Sequence, residues 1–326
     1  MNDPHRGTRA MAEVRATFGS VHDQIDGRRF AGKLLLLVLL VVAGALLVRH
    51  GSVWSIACGV LLLGLMYAHA LELQHEALHS IGFRGRRANV VAGVLLGIPM
   101  LTSFSAYRAA HMRHHRCLGT PDNREYFDYG DQYGHTDRTR ARTVLAWVYR
   151  FSMVSLYRQF LADTLRLAAG RPVPGEKPAT VRDIRRDHLL ITAVLGTAVT
   201  ASVATGSTFA VWAWLVPVLV VAGPVHAAVE LPEHYRCDTG TTDVFRNTRT
   251  IRSNRLMAWY TNGNNFHVEH HLMPSLPISR LSRLHRITAP RALHYHRTYR
   301  DFYRSLRTPR SRAPLAGPQA EYDTPQ

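Results

Sequence analysis

The stretch AGKLLLLVLLVVAGALLV, residues 31–48, is an almost unbroken run of apolar side chains. A second run, VWSIACGVLLLGLMYAHALEL at residues 53–73, follows after the short polar segment 49–52. An α-helix rises about 1.5 Å per residue, so each run is long enough to cross the roughly 30 Å hydrocarbon core of a bilayer. Together they predict a transmembrane hairpin with a very short outer turn.

A second pair of apolar segments, residues 188–205 and 209–229, is separated by a short polar turn and predicts a second transmembrane hairpin. Between the two hairpins, the apolar segment 89–104 is interrupted by glycine and proline and bounded by Arg-rich segments. This pattern favours a re-entrant or interfacial hairpin over a full span. Residues 144–169 alternate apolar and polar residues, which indicates an amphipathic helix at the membrane surface.

The fold class predicted from this pattern is an all-α integral membrane protein, with four transmembrane helices in two hairpins and a cytoplasmic helical cap. Outside the spans we expect a cytoplasmic N-terminal arm at residues 1–30 that includes a short amphipathic helix at 11–21. One membrane domain is expected over residues 31–307, with a polar loop at 118–142, a linker at 171–178, a basic amphipathic helical region at 278–307, and then a disordered tail at 308–326.

The chain is strongly basic, with a formal net charge of +17 and a sequence pI near 10.6. Such a charge would fit nucleic-acid binding, but no stacking-aromatic pattern or zinc-finger spacing accompanies it. The predicted outer turns contain one Arg, whereas the inner segments hold almost all the remaining Lys and Arg, as the positive-inside bias requires. High Arg and Ala usage is typical of a high-GC bacterium, so we predict a bacterial inner-membrane protein. The charge bias predicts an active site on the cytoplasmic side, and no nucleic-acid partner is expected.

Four histidine segments fall on the predicted cytoplasmic side. HEALH at 75–79 places two imidazoles at i and i+4, and HMRHH at 111–115 places three at i, i+3 and i+4, on one helix face. HVEHH at 267–271 repeats the second pattern, and ELPEH at 230–234 adds one histidine. The nine candidate metal ligands are His75, His79, His111, His114, His115, His234, His267, His270 and His271.

Nine imidazole nitrogens are too many for one first-row metal ion and suit two. The three cysteines, Cys58, Cys117 and Cys237, form no CxxC pair, which argues against a zinc ribbon or an iron–sulfur cluster. Two irons with positions open for O2 are therefore the expected cofactors, and such a centre would be able to break an unactivated C–H bond. His226, at the inner end of the fourth span, competes with His234 for the ninth position.

Polar residues near these histidines are candidates to orient them. Metal-bound histidines normally donate their second N–H to an acceptor, and Glu72, Glu230 and Asn265 lie close enough in sequence to accept it. His69 lies six residues before His75, on another face of the same helix, and is expected to pack rather than to bind metal.

The order HxxxH, HxxHH and a late HxxHH, separated by two predicted hairpins, resembles the membrane fatty acid desaturase and hydroxylase family. GNNFHVEHHLMPSLPISRLSRLH at 263–285 is similar to the family's NxHxEHHLxPxxPxxxLxxLH. LGTPDNREYF at 118–127 resembles its LGxPxDPE segment, from which Asn123 and Arg124 depart. The resemblance covers roughly residues 30–290, and it implies that the box histidines bind a non-haem di-iron centre, with His234 as the isolated extra ligand.

The resemblance implies an O2-dependent fatty acid desaturase that acts on a lipid-like acyl chain. Tyr107, Trp259 and Tyr260 are candidates for the mouth of a substrate tunnel, although packing in the core or at an interface is the more common role of such aromatic residues. A hydroxylase or ketolase of a lipid, terpenoid or specialised metabolite is the alternative, because the same ligands serve both reactions. The chain carries no HPGG haem motif and no GxGxxG after a strand, so a separate electron donor such as ferredoxin with its reductase is expected. A His-rich membrane metal transporter is the alternative from a different functional class. The sequence makes no prediction of the oligomeric state.

Overall fold

The computed structural model describes residues 22–120, 123, 140–238 and 240–307. The predicted amphipathic helix at 11–21, the tail at 308–326 and most of the loop at 118–142 lie outside these described residues. Within them the chain is mainly helical, as predicted.

Thirteen α-helices and two short strands make up the described part of the chain, together with short 3-10 and π-helical segments. In chain order the helices are α1 (Gly27–His50), α2 (Val53–Leu78), α3 (Arg86–Gly97), α4 (Phe104–Cys117), α5 (Arg140–Phe151), α6 (Val154–Ala168), α7 (Pro178–Thr205), α8 (Gly223–Glu230), α9 (Val244–Asn247), α10 (Arg255–Tyr260), α11 (His267–Leu272), α12 (Ile278–Thr288) and α13 (Tyr299–Ser305). The strands are β1 (Arg249–Ile251) and β2 (His294–His296).

Among the described residues, four helices are long and apolar enough to cross a membrane, as the hydrophobic runs predict. They are α1, α2, α7 and a fourth span, Val211–Glu233, in which two π-helical segments precede α8. Helix α7 begins inside the predicted linker, because Pro178 stands in its first turn, where proline is well tolerated. Their arrangement as two hairpins, the cytoplasmic cap and the domain bounds 31–307 stay predictions.

Helix α2 lies at the centre of the membrane part. In its most apolar window 67% of the residues are buried, against 17% in α1 and 11% in α7, and it packs against α1, α3 and the fourth span. Small residues permit this close packing, as is common between membrane helices. A Cβ atom on Gly64 would lie 2.3 Å from the Cβ atom of Val221 in the fourth span.

We expect Gly64→Ala to destabilise the protein, because the added methyl group must push α2 away from the fourth span. Overpacking of this kind costs about 1–3 kcal/mol. Gly196→Ala is the matched control, since Gly196 lies in α7 with nothing within 4 Å of the added Cβ. Thermal unfolding of both variants in detergent measures the difference, and equal midpoints would contradict this account of the packing.

The segment 89–104, predicted to be a re-entrant or interfacial hairpin, contains most of α3, a tight turn and the first residue of α4. Gln74 of α2 holds this turn, because its Nε2 donates to Gly93 O at 2.8 Å and to Thr102 O at 3.3 Å. Gly93 leaves room for the ring of Phe104, whose Cδ2 would lie 2.2 Å from a Cβ at that position. The turn therefore places α4 beside the C-terminal end of α2.

Two sequence-based boundaries are wrong. The single amphipathic helix predicted over 144–169 is divided into α5 and α6, because Met153 adopts a left-handed φ of 54° that a continuous helix cannot accommodate. The helical region predicted over 278–307 is interrupted after α12, where Pro290 stands in a 3-10 turn and the chain continues as β2 before α13.

The all-α prediction needs one correction, since β1 and β2 pair in parallel with Thr250 opposite Tyr295. The pair lies directly behind α11, because Ile251 N donates to Asn265 O at 2.8 Å just before that helix begins. This hydrogen bond connects the last histidine segment to β1.

Candidate metal centre

The first two histidine segments meet at the C-terminal end of α2, at the opposite end of that helix from the turn that joins α1 to α2. His75 lies in the last turn of α2 and His79 follows as its C-cap. Helix α4 is fixed at its start, where Asp187 of α7 accepts hydrogen bonds from Ser103 Oγ at 3.0 Å and Ser105 N at 2.8 Å. This anchoring points the histidines of α4 toward those of α2.

Among the described residues the predicted ligands collect into two groups, of which the first has five members. The first group is His75, His79, His111, His115 and His270. Nε2 of His111 lies 2.8 Å from Nε2 of His75 and 3.0 Å from Nε2 of His79. Nε2 of His115 lies 2.9 Å from Nε2 of His111 and 3.0 Å from Nε2 of His270. Donors from α2, α4 and α11 therefore converge on one point.

The second group has four members, all buried: His114, His234, His267 and His271. Nε2 of His114 lies 3.2 Å from Nε2 of His234 and 3.3 Å from Nε2 of His271. Nε2 of His267 lies 3.1 Å from the same atoms of His234 and His271. The four nitrogens form a closed ring, in which the histidine after the fourth span supplies one corner.

Each HxxHH helix serves both groups. In α4, His111 and His115 join the first group and His114 joins the second; in α11, His267 and His271 join the second group and His270 the first. Around a helix, residue i+4 lies about 40° from residue i in one direction, and residue i+3 lies in the opposite direction. One helix face can therefore supply side chains to two neighbouring groups. The rings of His115 and His271 are only 4.2 Å apart, so the groups are direct neighbours.

The spacing of the nitrogens fits metal coordination. Nitrogen ligands lie about 2.0–2.1 Å from a first-row ion, so two ligands at a right angle are about 3 Å apart and two at a tetrahedral angle somewhat further. The 2.8–3.0 Å separations in the first group match the smaller angle, as five or six ligands would require. The 3.1–3.3 Å separations in the second group match wider angles and fewer ligands.

The charge state of the histidines also suits a metal. Burial lowers the pKa of His111, His115, His267, His270 and His271 well below the ordinary histidine value, and the neighbouring imidazoles lower it further. The rings are therefore neutral at physiological pH and their lone pairs are available. Neutral rings whose Nε2 atoms converge at this spacing can direct their lone pairs at one cation, so the donor set fits a metal ion in each group.

Acceptors behind the rings hold the other nitrogen of three ligands. His75 Nδ1 lies 2.9 Å from Asn264 Oδ1, and His114 Nδ1 lies 3.1 Å from Asn123 Oδ1. His234 Nδ1 lies 3.0 Å from the main-chain oxygen of Asn247. Each acceptor keeps a proton on Nδ1 and so directs the Nε2 lone pair into the group.

The prediction that Asn265 orients one of the histidines is wrong by one residue. Asn265 donates to the main-chain oxygens of Ile251 at 2.7 Å and Arg252 at 3.2 Å, so it anchors β1. Its neighbour Asn264 contacts His75 instead. The sequence contains two adjacent asparagines, and the backbone turn before α11 decides which one faces the histidines.

His226 lies outside both groups. Its Nδ1 is 3.4 Å from Glu72 Oε1 and its Nε2 is 3.6 Å from Glu230 Oε2, so it lies between two carboxylates. The geometry therefore favours His234 as the ninth ligand. Glu233, adjacent to His234, brings a carboxylate oxygen to 3.3 Å from Nε2 of His267, beside the second group.

Glu269, between two ligands of α11, was not singled out by the sequence pattern. It is fully buried and accepts three hydrogen bonds, from His285 Nδ1 at 2.8 Å, Thr288 Oγ1 at 2.7 Å and Thr250 Oγ1 at 2.6 Å. Burial raises the pKa of this carboxyl, but the hydrogen bonds and charge of His285 and the two threonine bonds outweigh it and hold the pKa below its usual value. Glu269 thus ties α11 to β1 and α12.

The three aromatic residues proposed for a tunnel mouth have packing partners. Trp259 and Tyr260 lie against the ring of His69, at 4.9 Å and 5.7 Å between ring centroids, and Tyr260 O is 2.6 Å from His69 Nδ1. His69 therefore packs, as predicted. Tyr107 is buried with its ring 5.6 Å from that of His111, so it covers one side of the first group.

Comparison with known proteins adds two findings. A family model described as fatty acid desaturase matches residues 52–303, which include all nine histidines. Dihydrorhizobitoxine desaturase of Bradyrhizobium elkanii is 26% identical over 246 residues, which cover 72% of this chain and 68% of that protein.

Proposed function

Because the chain belongs to the fatty acid desaturase family, we propose that it is an O2-dependent di-iron oxidoreductase that desaturates a lipid-like acyl chain in the membrane. The family and the related desaturase support an oxidoreductase of the desaturase type. The observation that carries the finer proposal is the pair of adjacent histidine groups, whose nitrogens have the spacing of metal ligands.

Each group would hold one iron. The first iron would be bound by His75, His79, His111, His115 and His270, and the second by His114, His234, His267 and His271. Imidazole suits iron, and no cysteine of the described residues joins either group, so a Cys-rich structural zinc site is disfavoured. When bound, the two irons would supply the oxidising power that O2 chemistry at an unactivated C–H bond requires.

The reaction balances with a two-electron donor. Desaturation of a CH2–CH2 unit removes two hydrogen atoms and, with O2, two electrons and two protons, gives a cis double bond and two waters. Hydroxylation consumes the same reagents and gives one alcohol and one water. The chain's own residues would supply the metal ligands, exclude bulk water through burial and position the acyl chain, whose apolar area would contribute to affinity.

A small, polar substrate is the second candidate. The related protein is named for dihydrorhizobitoxine rather than for a fatty acid. A cavity of about 160 Å³ adjoins the second group, and its lining includes Thr120, Asn123, Asp238 and Asn247 beside His234. The lining also includes Leu118, Gly119 and Cys237. Its polar groups suit a polar molecule or the polar end of a substrate, which supports a specialised metabolite as an alternative to a fatty acyl chain.

The distribution of charge supports a proposed location and electron donor, and the position of the histidines argues against a transporter. The basic inner segments support an inner-membrane location with the histidines on the cytoplasmic side, and their positive charge would attract an acidic donor such as ferredoxin with its reductase. The high Arg and Ala usage supports a bacterial source. A metal transporter would place its ligands along the spans. Here they lie in the last turn of α2 and beyond, which favours an oxidase.

Mass spectrometry of lipids and small polar metabolites from a heterologous host that expresses the chain tests the proposal. We expect a product two mass units lighter than its precursor, because desaturation removes two hydrogens. A gain of sixteen mass units would indicate hydroxylation instead. Host cells with the His270→Ala variant are the control, and identical profiles from the two hosts would contradict an oxidase function.

A further inference from the structure

Two buried carboxylates stand one turn apart at the end of α2. Glu72 and Glu76 are 6% and 5% exposed, and both lie within a helix that crosses the membrane part of the protein. Charged groups at such positions are costly and are kept only with partners. The partners come from the turn before α11, where Asn262 and Asn264 stand two residues apart.

The pair formed by Glu76 and Asn262 has a structural role. Asn262 Nδ2 donates to Glu76 Oε2 at 2.9 Å and to Glu72 O at 3.1 Å. Lys33 of α1 completes the cluster, because its Nζ lies 2.8 Å from Glu76 Oε2 and 2.6 Å from Asn262 Oδ1. These contacts join α1, α2 and the turn before α11, and their hydrogen bonds do not reach the histidines.

The pair formed by Glu72 and Asn264 does reach a histidine. Asn264 Nδ2 donates to Glu72 Oε2 at 2.7 Å, and Asn264 Oδ1 lies 2.9 Å from His75 Nδ1. An ionised carboxylate only accepts hydrogen bonds, so the NH2 end of Asn264 must face Glu72. The oxygen end then faces His75, and Nδ1 of that ring must carry its proton.

We propose that Glu72 is a positioning residue that sets the tautomer of His75 through Asn264. The carboxylate fixes the orientation of the amide, the amide fixes the proton on Nδ1, and the Nε2 lone pair is thereby presented to the first group. This inference rests on the proposed function, in that a metal ion is the partner of that lone pair. A histidine in the other tautomer would direct an N–H into the group and could not bind metal.

Glu72→Gln tests this role, with Glu76→Gln as the matched control one turn away. A glutamine side chain can present either end of its amide, so in Glu72→Gln the amide of Asn264 is free to turn and the tautomer of His75 is no longer imposed. We expect Glu72→Gln to weaken the binding of Fe(II) at the first group about tenfold to hundredfold. Glu76→Gln should lower the thermal stability while leaving metal affinity unchanged.

An exchanged pair provides the rescue. In the double variant Glu72→Gln/Asn264→Asp, the introduced amide donates to the introduced carboxylate, and that carboxylate accepts from His75 without any choice of orientation. The double variant keeps the total charge of the pair and should recover most of the affinity. A purely structural role for Glu72 does not predict this recovery.

The measurement is anaerobic titration of the full-length, detergent-purified protein with Fe(II), read as bound iron per chain, together with thermal unfolding of each variant. If the unaltered protein binds no iron, the proposed function fails. If it binds iron in both groups and Glu72→Gln binds equally well, the positioning role alone is overturned. Equal losses in Glu72→Gln and Glu76→Gln, or a double variant no better than Glu72→Gln, also overturn it.

Discussion

His270→Ala is expected to abolish substrate oxidation and to remove the iron of the first group while the second group keeps its own. His270 is the only ligand that α11 gives to the first group among the described residues, and its Nε2 lies 3.0 Å from that of His115. Without it the first iron loses its link to α11. Iron content should therefore fall from about two to about one per chain, with membrane insertion retained.

His271→Ala, at the next residue, is the companion variant. It removes a ligand of the second group and should also abolish activity, but it should deplete the iron of the second group rather than that of the first. Iron analysis combined with Mössbauer spectroscopy distinguishes the two irons by their ligand sets. Identical residual spectra in the two variants would contradict the division into groups, and full activity in His270→Ala would refute the ligand assignment.

The largest expected effect on stability comes from Glu269→Ala. The substitution leaves His285, Thr288 and Thr250 without their shared acceptor in a fully buried position. Loss of one partner from a buried network of this kind costs about 3–5 kcal/mol. Since the network holds α11 against β1 and α12, we expect a lower unfolding midpoint and weaker metal binding in the same variant.

Two milder variants calibrate this result. Thr288→Val removes one of the three donors and should cost about 1 kcal/mol, because its partner keeps two other hydrogen bonds. Glu269→Gln keeps the size of the side chain and should lie between the two. Thermal unfolding in detergent gives the order, and an unfolding midpoint for Glu269→Ala as high as that of Thr288→Val would contradict the network.

Sequence periodicity predicts the spans and the histidines because both signals are local. A run such as 31–48 needs only length and apolarity to predict a membrane helix, and HxxHH needs only the helical repeat to place three rings on one face. The division of His114 from His111 and His115 is not local. It depends on the geometry in which α4 and α11 cross, and the residue spacing within either segment carries no information about that geometry.

The same reasoning explains the errors. Asn264 and Asn265 are equivalent in the sequence pattern, and only the turn that begins at Asn262, with its left-handed φ of 50°, directs the first toward His75 and the second toward β1. Met153 carries no helix-breaking signal in the sequence, yet it adopts a left-handed φ between α5 and α6 with its side chain 1% exposed, so local periodicity does not predict this break.

The sharing of α4 and α11 between the two groups has a consequence for how the centre is filled. A metal in either group restrains both helices, and each helix carries donors of the other group. Occupancy of one site thus lowers the conformational entropy that must be lost when the second ion binds. We therefore expect uptake of the two ions to be cooperative, so that a sparsely supplied population would consist mainly of empty and full molecules rather than half-filled ones.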